Sequence, residues 1–369
     1  MTSSLEERLV REIRTEGPLP FDRYMEAALY DPEGGYYMSG GPRTGWRGHF
    51  ITSPEMDPTF GWLWARALLE IWRSAGEPDR FDVVEIGPGE GGLARAILAS
   101  CTGSFADSIR YTLVEHAPQN RARQKAILEG HDNVSWVEDL DELGPIETGC
   151  VLCHEVLDNL PVKVLIRDHT WRELHVDDDD GRLVPVLRDP DPALLASLQG
   201  RTVEGCLQVE VPVGGVGMIE RIAGMIVKGA AIFVDYGYRE PSEHPQGTLV
   251  CYSETGADTA FFDRPGSKDI TSHVDWGCLT RMASALEMGV GGPSSQRDVL
   301  RRLGVADADE ALKREHEQAL RDKRGGDAVR ALSRRQALGA LTDPGGLGGL
   351  QIMVVTRQIP VPGWIEPAP

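Results

Sequence analysis

The chain has 369 residues, 41% of them hydrophobic, which suits one enlarged domain, or one and a half, with a substantial core and is too short for three full domains. Its 57 acidic side chains outnumber its 38 basic ones and give a formal net charge of -19, which argues against nonspecific nucleic-acid binding and favours a cationic partner. This composition also excludes collagen, a coiled coil and wholesale disorder.

The sequence predicts a chain with neither a membrane span nor a leader peptide. No run approaches the roughly 18 apolar residues that a span needs, and residues 1–14 carry three glutamates without an apolar signal core. The six cysteines are scattered, which predicts a reducing, cytoplasmic setting. Cys150 and Cys153 form a C-x-x-C within an apolar stretch and lack a second pair at zinc spacing, so buried strand cysteines and no metal site are expected.

Two helices and a long loop are predicted at the N-terminal end. Apolar spacing indicates a helix over residues 5–13 and a second, short helix over 21–29. Residues 30–60 are dense in glycine and proline, which predicts irregular structure. Loops of this length are usually functional or disordered, and the aromatic content of this one favours function.

An alternation of short apolar strands and amphipathic helices follows. Helices are predicted at 62–72, 93–98 and 119–128, and strands at 81–86, 110–115, 134–137 and 150–154. Such alternation predicts parallel pairing with right-handed crossovers, an open α/β sheet. Ligands of these sheets bind beyond the carboxyl ends of the strands.

The alternation stops after residue 162. Three segments predict hairpins around the acidic turn 177–181, and therefore an antiparallel insertion; they are 164–166, 171–176 and 183–187. A helix over 217–227, a buried strand over 230–235 and a last strand over 351–356 then resume the α/β pattern. Residues 306–341 predict a charged helical segment with a solvated face.

A glycine loop after strand 81–86 predicts a nucleotide-like cofactor. Gly87, Gly89 and Gly92 fit the dinucleotide pattern G-x-G-x-x-G, whereas Glu85, Gly87, Gly89 and Gly91 fit E-x-G-x-G-x-G. Glycines let the main chain approach a ligand, and the next helix start favours a negative group. A carboxylate at Glu85 would oppose a pyrophosphate but suit a cationic amino acid, so it favours S-adenosylmethionine over a dinucleotide.

Two further acids are candidates for holding the cofactor. Glu115 ends the second strand, where an acid can accept both ribose hydroxyls of either cofactor. Asp139 follows the third strand and could accept the adenine amino group. The alternative for both residues is a solvated or capping side chain, since acidic loops are common in this chain.

Polar residues at the end of the fourth strand are the candidates for catalysis. Glu155 and Asp158 would orient a nucleophile and accept its proton. Two carboxylates suit a guanidinium, whose planar donors pair bidentately with them. His154 is a further candidate base, or a hydrogen-bonded structural residue, and Asp158 and Asn159 could instead only turn the chain.

Several sequence blocks match the motifs of a known family and follow the same order along the chain. They are Tyr24–Pro32, Gly34–Tyr37, Gly48–Glu55, Glu85–Gly89, Glu155–Pro161, Asp235–Gly237, Gly247–Leu249 and Asp269–Trp276. In these blocks the sequence resembles the MidA family of class I S-adenosylmethionine-dependent methyltransferases, which is related to the mitochondrial complex I assembly factor that methylates a protein arginine. His154 stands where that family usually has Asn, and Asn159 stands where it commonly has Ala.

The resemblance implies a Rossmann-like class I methyltransferase sheet with an N-terminal helical extension and an antiparallel β insertion. The expected parts are the extension, residues 1–60; the first, S-adenosylmethionine-binding half, 61–161; the insertion, 162–212; and the second half with a helical C-terminal segment, 213–369.

The implied activity is methyl transfer to an arginine on a protein partner. Glu155 and Asp158 would hold the guanidinium, while Glu85, Glu115 and Asp139 would hold the cofactor together with the glycines. The alternatives are a small-molecule acceptor, a cofactor-binding assembly factor without essential catalysis and, last, a nicotinamide oxidoreductase. Neither nucleic acid nor a membrane is expected as a partner, and the sequence predicts no particular oligomeric state.

Two short motifs have both a functional and a local structural interpretation. Thr52 and Ser53 could lie over the cofactor as part of a lid formed by the extension, or could begin a helix. Ser272 fits the cap of a helix as part of a capping box with Asp275, which is a more ordinary role than catalysis.

Overall fold

A computed structural model describes residues 4–38, 53–254 and 256–368, without the side chains of Pro54 and Glu55. The chain divides into two compact units. We call the first the insertion unit; it comprises Met1–Gly41, Val156–Arg221 and Tyr236–Met282. We call the second the sheet unit; it comprises Pro42–Glu155, Ile222–Asp235 and Ala283–Pro369. The boundaries of these units differ from those of the four predicted parts, and the division into those four parts stays a prediction.

The β-strands of the described residues are numbered in chain order. They are β1 Leu19–Pro20, β2 Phe81–Ile86, β3 Ile109–Val114, β4 Val134–Val137, β5 Gly149–His154, β6 Lys163–Asp168, β7 Thr170–Asp179, β8 Arg182–Arg188, β9 Gln208–Val211, β10 Gly229–Asp235, β11 Gly237–Tyr238, β12 Val250–Ser253, β13 Gly256–Asp258, β14 Asp269–Thr271, β15 Val274–Asp275, β16 Gly289–Ser295 and β17 Gln351–Arg357.

The α-helices of the same residues are also numbered along the chain. They are α1 Leu5–Glu16, α2 Phe21–Tyr30, α3 Ser53–Met56, α4 Pro58–Ser74, α5 Gly92–Ser100, α6 Gly103–Ser108, α7 Pro118–Ile127, α8 Pro192–Ala196, α9 Val213–Met225, α10 Trp276–Ala285, α11 Gln296–Leu303, α12 Val305–Arg321 and α13 Gly325–Leu341. Among the described residues, no helix is long and apolar enough to cross a bilayer.

The described part of the sheet unit contains a seven-stranded sheet in the order β16-β17-β10-β5-β2-β3-β4. The five strands from β10 to β4 run parallel, and β17 pairs antiparallel with both β10 and β16. All seven residues of β10 are buried, which is expected of a central strand covered on both faces. The predicted open α/β sheet is therefore confirmed, with the predicted parallel pairing in the five strands from β10 to β4 and two antiparallel strands at one edge.

Helix α4 shows how local chemistry sets an element boundary. The predicted start at residue 62 is four residues late, because Asp57 accepts a hydrogen bond from the Thr59 N–H and Pro58 occupies the first turn. From there α4 buries Phe60, Trp64 and other apolar residues in the core of the sheet unit.

Strand β16 is not predicted by the sequence. Its residues, Gly-Val-Gly-Gly-Pro-Ser-Ser, lack apolar alternation, and its register with β17 shifts between Gly291 and Ser294. Close packing explains the glycines: a Cβ at Gly291 would lie 2.7 Å from Val361 Cγ1 and 2.8 Å from Ile365 Cγ2. Small residues are therefore required where this edge strand packs against the C-terminal segment.

The insertion unit contains an antiparallel sheet of β1, β7, β6 and β9, with β8 paired to β7. Helices α1 and α2 pack into one apolar core with this sheet and with β12 and β14. Helix α1 begins with the capping box of Ser4 and Glu7. The predicted helical extension and antiparallel insertion are both confirmed.

Two local predictions are corrected and one is confirmed. The acidic turn is shorter than 177–181, because only Asp180 and Gly181, with φ of 50° and 88°, lie between β7 and β8. The predicted helical segment 306–341 is confirmed and consists of two helices, α12 and α13, separated after Arg321. Ser272 does not cap a helix: Asp275 accepts the Cys278 N–H at the start of α10, at 2.9 Å.

Candidate active site

The strand order of the seven-stranded sheet indicates where the candidate site lies. Along the chain β2 comes first, β3 and β4 extend the sheet on one side, and β5 and β10 extend it on the other. The carboxyl ends of β2 and β5 are neighbours, since Ile86 pairs with Cys153. The sheet reverses its strand order at this point, which is where open α/β sheets bind their ligands.

The glycine loop after β2 requires glycine for its backbone shape. Gly87, Gly89 and Gly91 have φ of 62°, 54° and 85°, in the left-handed region. The Gly87 N–H donates to the carbonyl of Val114 at 3.1 Å, which fastens the loop to β3. The three predicted glycines thus form a turn whose main chain a ligand can approach before α5 begins.

Glu85 is a buried carboxyl group at the end of β2. Its side chain accepts a 2.7 Å hydrogen bond from the hydroxyl of Tyr111 and the residue is 3% exposed. Burial raises the pKa of Glu85 to about 7, and the Tyr111 hydrogen bond opposes this rise. A cation placed beside Glu85 would favour its ionised form, which fits the amino acid part of S-adenosylmethionine.

Glu115 follows β3 and is held by several donors. The Ala117 N–H donates to Oε1 at 2.8 Å, and Asn120 and Gln124 donate to Oε2 at 3.3 and 3.1 Å. Burial raises the pKa of Glu115, while these hydrogen bonds lower it. The donors orient the carboxylate, as an acceptor of ribose hydroxyls would require. Gln124 and Tyr111 carry no signal in the sequence, because their partners come from distant segments.

Asp139 caps the 3₁₀ turn Leu140–Glu142. Its side chain accepts the Asp141 N–H at 2.8 Å, and its own N–H donates to Glu142 at 3.0 Å. This is the capping alternative raised by the sequence. Binding of the adenine amino group by Asp139 stays a prediction.

His154 and Glu155 lie where β5 ends. Glu155 has a φ of 52°, a left-handed conformation that costs a non-glycine residue energy and is frequent in functional sites. Its N–H donates to the carbonyl of Val234 at 2.8 Å. His154 packs edge-on against Phe60, with ring centroids 5.4 Å apart, and its Nδ1 lies 3.3 Å from Glu155 Oε1. Burial lowers the pKa of His154 to about 3, so it is a weak base, and Glu155 is the stronger candidate.

Asp158 lies beyond Glu155 on the 3₁₀ turn Leu157–Asn159, in the insertion unit. The Ser272 N–H donates to the main-chain carbonyl of Asp158 at 2.8 Å. This hydrogen bond holds the turn against the chain that follows β14.

Asn159 ties the same turn to two other segments. Its amide nitrogen donates to Asp269 at 2.8 Å and to the carbonyl of Ile270 at 3.2 Å. The Tyr37 hydroxyl lies 2.9 Å from both Asn159 Oδ1 and Asp269 Oδ2. Tyr30 stacks on Tyr37 with ring centroids 5.6 Å apart. The sequence assigns no individual role to Tyr37 or Asp269, although both stand in blocks that carry the family resemblance, and only the fold brings them to the turn.

The Thr-Ser-Pro-Glu run is partly described. Thr52 lies outside the described residues. Ser53 begins α3, as the helix-start interpretation predicts, is fully buried, and accepts a 3.1 Å hydrogen bond from Gln296. Cofactor binding by either residue stays a prediction. The described residues include no group of three or more His, Cys, Asp or Glu side chains that could hold a metal ion.

Comparison with known proteins identifies relatives of this chain. The family model described as "Putative S-adenosyl-L-methionine-dependent methyltransferase" matches residues 63–294. The mitochondrial protein arginine methyltransferase NDUFAF7 of Bos taurus is 30% identical over 328 residues, covering 80% of this chain and 72% of the relative. Its mitochondrial homolog in Drosophila melanogaster is 30% identical over 339 residues, covering 81% and 75%.

A solved structure shares both fold and sequence with the chain. This crystal structure from Burkholderia thailandensis, with bound S-adenosyl-homocysteine, has a TM-score of 0.84 and 28% identity. The match covers 97% of this chain and 92% of that chain. A native crystal structure from the same organism has a TM-score of 0.82.

Proposed function

The chain belongs to this family of S-adenosyl-L-methionine-dependent methyltransferases, and we propose that it methylates a nitrogen of an arginine on a protein partner. Its cofactor is S-adenosylmethionine. The observation that carries the acceptor proposal is Glu155, held in a left-handed conformation where β5 ends, beside the strand that leads into the glycine loop. The names of the relatives, which are protein arginine methyltransferases, support it.

The residues fit the cofactor. Glu85 would accept from its ammonium group, Glu115 from the ribose hydroxyls and Asp139 from the adenine amino group, with Gly87, Gly89 and Gly91 giving the main chain close approach. S-adenosylmethionine supplies a methyl group on a positively charged sulfur, so the protein mainly contributes alignment and desolvation. Thr52 and Ser53 would lie over the bound cofactor.

Glu155 and Asp158 would act on the acceptor. Two carboxylates three residues apart in the chain can hold the donors of a guanidinium and leave one nitrogen directed at the methyl group. As the bond from that nitrogen to the methyl carbon forms and the bond from sulfur breaks, a carboxylate accepts the proton that the nitrogen loses. His154, neutral and buried, would support Glu155 rather than take this proton.

The test is labelled methyl transfer from S-adenosylmethionine into cell lysate, followed by acid hydrolysis. We expect the label in a protein band, released as methylarginine, and loss of labelling with Glu155→Gln. Glu129→Gln is the matched control, because Glu129 is exposed beyond the end of α7. Label found only in the low-mass fraction would replace the protein acceptor by a small molecule. Full cellular function of Glu155→Gln would instead support an assembly factor.

We also propose a cytoplasmic, reducing setting. The six cysteines of the chain are all free in the structure, and four of them are buried. Cys150 and Cys153 lie inside β5, as predicted, where burial raises the pKa of both thiols and leaves them unreactive. The relatives are mitochondrial by name, so fractionation of cells expressing the tagged chain is the direct check.

A further inference from the structure

We infer that Gln124 is a positioning residue for S-adenosylmethionine, acting through Glu115 and the glycine loop. The inference rests on the proposed role of Glu115 in holding the ribose. Gln124 lies on α7 and is fully buried, so its side chain acts on the cofactor site through its neighbours.

The hydrogen bonds of Gln124 join three separate segments. Its Nε2 donates to the carbonyl of Gly89 at 2.7 Å and to Glu115 Oε2 at 3.1 Å. Its Oε1 accepts from the indole N–H of Trp136 on β4 at 3.1 Å. One side chain therefore connects the loop after β2, the acid after β3 and the strand β4.

Trp136 determines which way the amide faces. An indole nitrogen can only donate, so the amide oxygen of Gln124 must face Trp136 and the amide nitrogen must face the other two partners. Both of these partners are acceptors, a carbonyl and a carboxylate. The three contacts are consistent with a single orientation, which holds the Glu115 carboxylate at a fixed angle.

Packing couples Gln124 to the shape of the glycine loop. A Cβ at Gly91 would lie 3.3 Å from Gln124 Cγ, closer than most real contacts of this kind. Gln124 thus supports the loop from one side at Gly91 and bonds to it at Gly89. An apolar residue of equal size would fill the space, yet leave the Gly89 carbonyl and the Trp136 N–H without this buried partner.

The consequence is a specific pattern of affinities. Loss of the amide should release one donor from Glu115 Oε2 and loosen the loop, which weakens binding of the adenosine half of the cofactor. Because Gln124 acts largely through Glu115, removing its amide should weaken cofactor binding less when residue 115 is no longer a carboxylate.

The experiment is a double-mutant cycle with S-adenosylhomocysteine, measured by calorimetry. Gln124→Met keeps the volume and removes the hydrogen bonds, and Gln336→Met alters an exposed glutamine of α13 as the control. We expect Gln124→Met to raise the Kd about tenfold, as loss of a buried partner predicts. In a Glu115→Gln background we expect an increase of about threefold or less, while Gln336→Met changes nothing.

A structural role alone would give a different result. Equal losses of affinity in the two backgrounds, or a lowered melting temperature with an unchanged Kd, would overturn the inference. If Glu115→Gln leaves the Kd unchanged, the role of Glu115 and the inference fail together, whereas methyl transfer by the wild type stays intact. Trp136→Phe, which removes the N–H that orients the amide, should weaken binding about threefold and serves if Gln124→Met does not fold.

Discussion

Glu85 couples cofactor binding to a proton. Burial raises its pKa to about 7, so Glu85 is mostly protonated below pH 7 and mostly ionised above it. A cationic ligand requires the ionised form, so binding below pH 7 must first release the proton. We predict that the affinity for S-adenosylhomocysteine falls as the pH is lowered from 7 to 5.5, by up to about tenfold per unit.

Calorimetry in two buffers of different ionisation enthalpy measures both the affinity and the released proton. Glu85→Gln should bind weakly at every pH in this range and remove the pH dependence. A wild-type affinity that stays constant from pH 5.5 to 7 would contradict the proposed contact between Glu85 and the ammonium group.

The roles of residues that depend on their immediate neighbours in the chain could be predicted from the sequence. Glu85, Gly87 and Gly89 form a local motif, and the positive φ of both glycines agrees with the predicted turn. The role of Gln124 could not be predicted, because its hydrogen-bond partners Gly89 and Trp136 lie 35 and 12 residues away in the sequence.

At the scale of elements, the sequence predicts regular strands but not the long-range hydrogen bonds that hold turns in place. Strands β2 and β4 match the predicted 81–86 and 134–137, because each is a short apolar run bounded by turn residues. The edge strand β16 lacks such a run. The turn Leu157–Asn159 is held by Tyr37 and Asp269, contacts that span 122 and 110 residues of sequence from Asn159.

We predict that Asn159→Ala impairs catalysis more than cofactor binding. The substitution removes the amide that bonds to Asp269 and to the Ile270 carbonyl, which should cost the insertion unit about 2 kcal/mol of stability. It also frees the turn that carries Asp158, so kcat should fall while the Kd for S-adenosylhomocysteine changes little.

Urea unfolding, calorimetry and labelled-methyl rates measure these three quantities. Tyr37→Phe is the partner variant, because it removes one hydroxyl from the same cluster and should give a smaller effect in the same direction. Unchanged kcat in Asn159→Ala, despite the loss of stability, would remove the turn from the catalytic site.

At the scale of the whole molecule, the sequence predicts the sheet class but not the composition of the compact units. Alternating strands and helices are local signals, and the parallel sheet follows from them. Each compact unit, however, gathers three separate segments of chain. The 2.6 Å hydrogen bond from the Tyr24 hydroxyl to the Phe261 carbonyl spans 237 residues, and no periodicity in the sequence reports such a contact.

The net charge of -19 gives the last prediction. An acidic enzyme attracts a basic arginine-containing partner over distances comparable to the Debye length, which is about 10 Å at 0.1 M salt. Raising the salt from about 0.05 to about 0.3 M should therefore lower protein labelling several-fold at limiting acceptor, whereas the calorimetric affinity for S-adenosylhomocysteine should change by less than about twofold. The two measurements should respond differently because salt screens the long-range field that attracts the acceptor, but has much less effect on buried groups such as Glu85 and Glu115. Labelling that is unchanged or stronger at the higher salt would show that charge does not bring the acceptor to this protein.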